Sequence, residues 1–73
     1  MRRKPKYLHD CSDCVFLGHI DLHDLYYCPN HKVLRARYDH DELDCRSVSV
    51  ADRSGPIFEK AYRLACAKGL IHP

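Results

Sequence analysis

From Val15 onward the chain alternates short apolar-rich runs with polar breaks, and the first runs are too short for amphipathic helices. Val15-Phe16-Leu17-Gly18-His19-Ile20 is apolar and β-rich, and reads as a strand. Asp21-Leu22-His23-Asp24 supplies turn formers, after which Leu25-Tyr26-Tyr27-Cys28 resumes strand character until Pro29-Asn30 stops it. Val33 to Tyr38 has period two, with Val33, Arg35 and Arg37 on one face and Leu34, Ala36 and Tyr38 on the other. Arg35 and Arg37 are expected on the wetter face. Cys45 to Val50 predicts a short fourth strand with Val48 and Val50 on one side.

The period changes near the C-terminus. Ser54-Gly55-Pro56 opens a helix over about 55–68: Ser54 or Gly55 can cap it, and Pro56 suits the first turn, where its missing N–H leaves no bond unmade. Ile57, Ala61, Leu64 and Ala65 recur at helical spacing, and Phe58 with Tyr62 widens the stripe. Lys68 complements the helix dipole, Gly69 fits the left-handed position just past the end, and Leu70 and Ile71 can fold back.

Seventy-three residues make one domain, near the size at which a hydrophobic core alone gives marginal stability. Residues 1–8 read as a basic flexible leader and 9–73 as a single domain, β-rich over 11–50. Met1-Arg2-Arg3-Lys4 runs into Pro5-Lys6 rather than into a signal-peptide core, and no apolar run reaches the roughly 20 residues of a membrane span. A cytoplasmic protein is expected. The formal charge of +2 does not diagnose a nucleic-acid partner: the basic leader is set against an acidic stretch from Asp39 to Asp44.

Five cysteines and six histidines are a heavy load for so short a chain. Cys11-Ser12-Asp13-Cys14 and Cys28-Pro29-Asn30-His31 form two knuckles with thirteen residues between Cys14 and Cys28. A strand-turn-strand path over that interval returns the chain beside itself, so each knuckle can offer two ligands to one tetrahedral zinc. In a reducing compartment a cysteine cluster points to metal rather than to disulfides. Cys11, Cys14 and Cys28 carry this expectation. His31 is the fourth ligand by spacing, with Cys45 as the alternative and His9 or His40 also within possible reach. The expected architecture is therefore small α+β: a zinc-ribbon-like antiparallel β-meander of three strands, or four with Cys45–Val50, and one C-terminal helix.

The remaining candidates read as structural. Cys66 lies between Ala65 and Ala67 on the helix and suits packing against the sheet. His19 and His23 have the spacing of a helical metal pair but fall in a hairpin, unless residues 19–27 are helical after all. Cys11-x-x-Cys14 precedes a β-type run rather than a helix, unlike a thiol oxidoreductase motif. No nucleophile–base pair or paired-carboxylate motif stands out, and glycines at 18, 55 and 69 cannot build a phosphate loop. An enzyme is not expected, nor a small-molecule substrate.

Cys11-x-x-Cys14-Val15-Phe16-Leu17-Gly18, Asp24-Leu25-Tyr26-Tyr27-Cys28, Ala36-Arg37-Tyr38 and Lys68-Gly69-Leu70-Ile71 together resemble a set of small bacterial and phage- or plasmid-borne proteins. The resemblance spans most of residues 11 to 71. It implies the ribbon-and-helix layout and a bacterial or phage cytoplasmic setting, and it implies no activity. Two binding functions follow as expectations: a nucleic-acid-binding or regulatory accessory module using Arg35, Arg37, Arg46 and Arg53, or a protein-interaction module using the tyrosine-rich hairpin. Both assume one structural zinc ion.

Overall fold

The computed structural model describes residues 13–38 and 45–72. The basic leader, Cys11, His9, His40 and the acidic stretch 39–44 lie outside them. Four strands, β1 (Val15–Ile20), β2 (His23–Cys28), β3 (Val33–Tyr38) and β4 (Cys45–Ser49), form one sheet in the order β1-β2-β3-β4, with every neighbouring pair antiparallel. A short 3-10 helix (Val50–Asp52) leads to α1 (Pro56–Ala67). The expected meander is present with its fourth strand, and α1 lies within the expected range. Val50 opens the 3-10 helix instead of ending β4, although its N–H still bonds the Lys32 carbonyl at 3.1 Å, in register with the β3–β4 ladder.

Register decides which side chains share a face. Tyr27 pairs Leu34, Leu25 pairs Ala36, and Leu34 pairs Val48. These positions face α1, which contributes Phe58, Ala61 and Ala65 to a buried core with Leu17, Leu25, Tyr27, Leu34 and Ala36. Ala61 and Ala65 have no exposed surface, so small side chains let the helix backbone approach the sheet. Ile57, Tyr62, Leu64, Leu70 and Ile71 close the margins of this core.

Local chemistry fixes the ends of α1. Gly55 caps it with φ 90° and ψ 151°, a conformation that side chains disfavour, and Pro56 follows at the first helical turn. At the other end Gly69 adopts φ 78°, its N–H bonds the Cys66 carbonyl at 3.0 Å, and the Leu70 N–H bonds the Ala65 carbonyl at 2.9 Å. That pair of bonds is a Schellman motif, and Leu70 adds its hydrophobic contact by packing on the core.

The β1–β2 connection is tighter than the sequence implies. Ile20 pairs His23, leaving only Asp21 and Leu22 in the turn, at φ 53° and 66°. Two successive left-handed residues define the type I′ geometry that suits hairpin twist and normally recruits Asn-Gly or Asp-Gly. Here a leucine holds the second position, 48% exposed. The turn is tied to α1 by Lys60 Nζ, which donates to Asp21 Oδ2 at 2.6 Å.

Candidate metal centre

The hairpin geometry assembles the cysteines. Val15 pairs Tyr27 at the open end of β1–β2, so the next residues outward, Cys14 and Cys28, stand side by side. Their thiols interact directly, and Cys28 is completely buried while Cys14 is half-buried. Beyond Cys28 the chain turns sharply: the Lys32 N–H bonds the Cys28 carbonyl at 2.8 Å, with Lys32 at φ 54°. This turn brings His31 back so that its Nδ1 lies 3.3 Å from Cys28 Sγ. Two ligands on one tetrahedral zinc, at ordinary Zn–S and Zn–N lengths, are separated by about 3.6 Å. The Cys28–His31 pair is therefore near ligand spacing.

The two knuckles are also joined outside the sulfur cluster. Asn30 Nδ2 donates to Asp13 Oδ2 at 2.6 Å, linking the residue before His31 to the residue before Cys14. The sequence reading assigns Asp13 no role. Its position between Cys11 and Cys14 was the available signal for a knuckle-to-knuckle contact.

Cys28 is the shared member of both close pairs. Among the described residues, no group of three or more His, Cys, Asp or Glu side chains is gathered tightly enough to hold an ion unaided. Cys11, the remaining knuckle ligand, lies outside those residues. The donor chemistry present fits zinc, with two thiols and an imidazole nitrogen at the mouth of one hairpin. Cys14, Cys28, Cys45 and Cys66 are all thiols rather than disulfides. Burial pushes the Cys14 thiol up from 9.0 to about 11. The hydrogen bond from Arg35 pulls against that, while a hydrogen bond to Cys28 and its nearby charge reinforce it. A metal binding there must displace a proton, so its uptake weakens as pH falls.

Arg35 corrects the sequence reading. It does lie on the sheet face opposite α1, sharing a row with Tyr26 and Ser47. It is nevertheless only 9% exposed. Its guanidinium donates through Nη2 to Cys45 Sγ, hydrogen-bonds Cys14, and sits 5.8 Å from the centre of the Tyr26 ring. Alternation predicted the face but not its burial.

Cys45 is itself 1% exposed and starts β4 opposite Arg37, whereas Cys28 pairs Val33. Those two registers are four residues apart along β3, about 13 Å at ordinary strand rise. Arg35 spans the interval, so Cys45 is connected to the Cys14 side of the cluster by a guanidinium. Cys66 is half-buried on α1, in keeping with packing rather than ligation.

The other arginines do not converge. Arg37 Nη2 lies 3.6 Å from Asp24 Oδ2, and Asp24 also holds His19 Nδ1 at 2.8 Å. Arg46 pairs Ala36 and so belongs to the opposite sheet face from Arg35 and Arg37. Arg53 follows the 3-10 helix, bonds Glu59 through Nε at 3.0 Å, and stacks on Tyr62 at 3.9 Å. Arg35, Arg37 and Arg46 are thus divided between two sheet faces, and Arg53 lies beyond the sheet.

The chain matches no family model, no curated protein and no solved structure. Among the described residues, no helix is long and apolar enough to cross a membrane.

Proposed function

We propose that the chain is a structural-zinc module that works by binding a partner, with one ion held by Cys11, Cys14, Cys28 and His31. The observation that carries this reading is Cys28, in contact with the Cys14 thiol and 3.3 Å from His31 Nδ1. His31 is preferred to Cys45 because the knuckle turn already delivers its imidazole, whereas Cys45 is engaged by Arg35. The ion, when bound, would crosslink the two knuckles and contribute on the order of 10 kcal/mol or more to folding. Four protein ligands would close the coordination sphere, as in structural rather than catalytic sites. Removing metal with a chelator should unfold the domain, read by loss of its circular dichroism. An unchanged spectrum after complete metal removal would count against the proposal.

A protein partner is favoured over nucleic acid. Arg35 is buried and both Arg37 and Arg53 have carboxylate partners, which reduces the positive surface available to phosphates. The hairpin instead presents Phe16, 52% exposed and edge-on to Tyr26 at 5.4 Å, with Leu22 at its tip. Exposed aromatic and aliphatic groups of this kind suit the core of a protein interface. Gel-shift assays at low salt should show no DNA or RNA binding. A shift that weakens steeply with salt would overturn this preference.

A further inference from the structure

We propose that Arg35 is the charge-balancing positioning residue of the metal centre, held by Cys45 and donating to the ligand Cys14. The inference rests on the zinc reading above and deepens it.

A buried guanidinium is costly unless it meets negative charge or good acceptors. The side-chain partners of Arg35 among the described residues are two sulfurs and the Tyr26 ring, and its Nε is buried without a hydrogen-bond partner. Neutral thiols are weak acceptors and are poor compensation for this burial. Three thiolates and one imidazole around a divalent ion leave one net negative charge, and a permanently cationic side chain cancels it. Arg35 lies where that cancellation is needed, with a hydrogen bond already made to Cys14.

The choice of arginine also follows from shape. Cys45 starts the next strand and Cys14 precedes β1, so the two sulfurs approach from opposite sides of β3 and β2. A rigid planar fork can serve both sulfurs at once, whereas a lysine ammonium is a flexible point charge. Cys45 thereby acquires a role without being a ligand: it anchors the guanidinium in a cleft with almost no solvent. Hydrogen bonds to metal ligands from residues behind them fix ligand orientation and tune the metal, and their loss costs roughly 10–100-fold in metal affinity.

The test uses the full chain, with zinc affinity measured by chelator competition and cobalt as the spectroscopic probe. Arg35→Met should lower zinc affinity roughly 10–100-fold. It should also shift the sulfur-to-cobalt charge-transfer bands to lower energy, because the thiolate loses a hydrogen bond. Arg35→Lys keeps the charge but not the fork, so its affinity should fall between those of wild type and Arg35→Met. Should Arg35→Met fail to fold, the lysine variant decides: a measurable loss of less than about 10-fold supports the proposal, and either no loss or a loss beyond about 10-fold overturns it. Arg35→Met with unchanged affinity and unchanged bands overturns it too. Wild-type protein that takes up no tetrahedral cobalt would overturn the zinc reading and this inference with it, an outcome distinct from failure of the arginine variants alone.

Discussion

Asn30 and Asp13 are hydrogen-bonded across 2.6 Å although 17 positions separate them in the chain. The bond ties the two knuckles to each other. Asn30→Ala should therefore loosen the relative placement of Cys14 and His31. The pair is exposed, so the expected loss of stability is about 0.5–1 kcal/mol, the lower half of the range for a single hydrogen bond. Zinc competition should show a modest loss of affinity with one ion still bound. Equal affinity and equal melting temperature in the variant would show that the contact does not organise the site.

Leu22 at φ 66° is strained for a branched side chain, and its side chain is largely in water. Leu22→Gly removes the left-handed penalty of about 1–2 kcal/mol but raises the unfolded chain's entropy. A net stabilisation of about 0.5–1 kcal/mol is expected. For a domain of this size that corresponds to roughly 2–8 °C in melting temperature. A lower melting temperature would mean that Leu22 makes contacts worth more than the strain.

Lys60 holds the Asp21 carboxyl below its ordinary range, first through their hydrogen bond and then through its charge. A depressed carboxylate contributes stability above its unfolded pKa and loses that contribution as pH falls through its folded value. Lys60→Gln should move the Asp21 titration upward, followed by NMR of the side-chain carboxyl. The acid side of the stability profile should flatten slightly. An unmoved Asp21 titration would show that the contact is not maintained in solution.

Ala61 is fully buried between α1 and the sheet. Ala61→Leu must push the helix outward, at a cost of about 1–3 kcal/mol from overpacking. Thermal unfolding of the metal-loaded protein measures it. A neutral effect would indicate unfilled space beneath the helix.

Periodicity makes most of this architecture legible in the sequence. Alternation in Val33–Tyr38 sorted its faces correctly, and Pro56 with Gly69 marked the helix ends through backbone chemistry that those residues alone satisfy readily. Three features were hidden. The register shift between Phe16 and Gly18 comes from one inserted residue, and a single apolar run carries no mark of it. The left-handed pair Asp21-Leu22 lacks the glycine that announces such a turn. Arg35 was placed on the correct face but misjudged in environment, because period two reports direction and not what packs against a face. The metal centre was readable to the extent that it is local: both knuckles appear in the sequence, whereas the Arg35–Cys45 contact joins separate strands.

Metal content tests the central claim most directly. Wild-type protein purified without added metal should carry one zinc per chain, and Cys45→Ser should retain it. Cys28→Ser should lose it, and His31→Ala should bind far more weakly. Zinc retained in full by Cys28→Ser would contradict the account, because every proposed ligand contact in the structure passes through that sulfur.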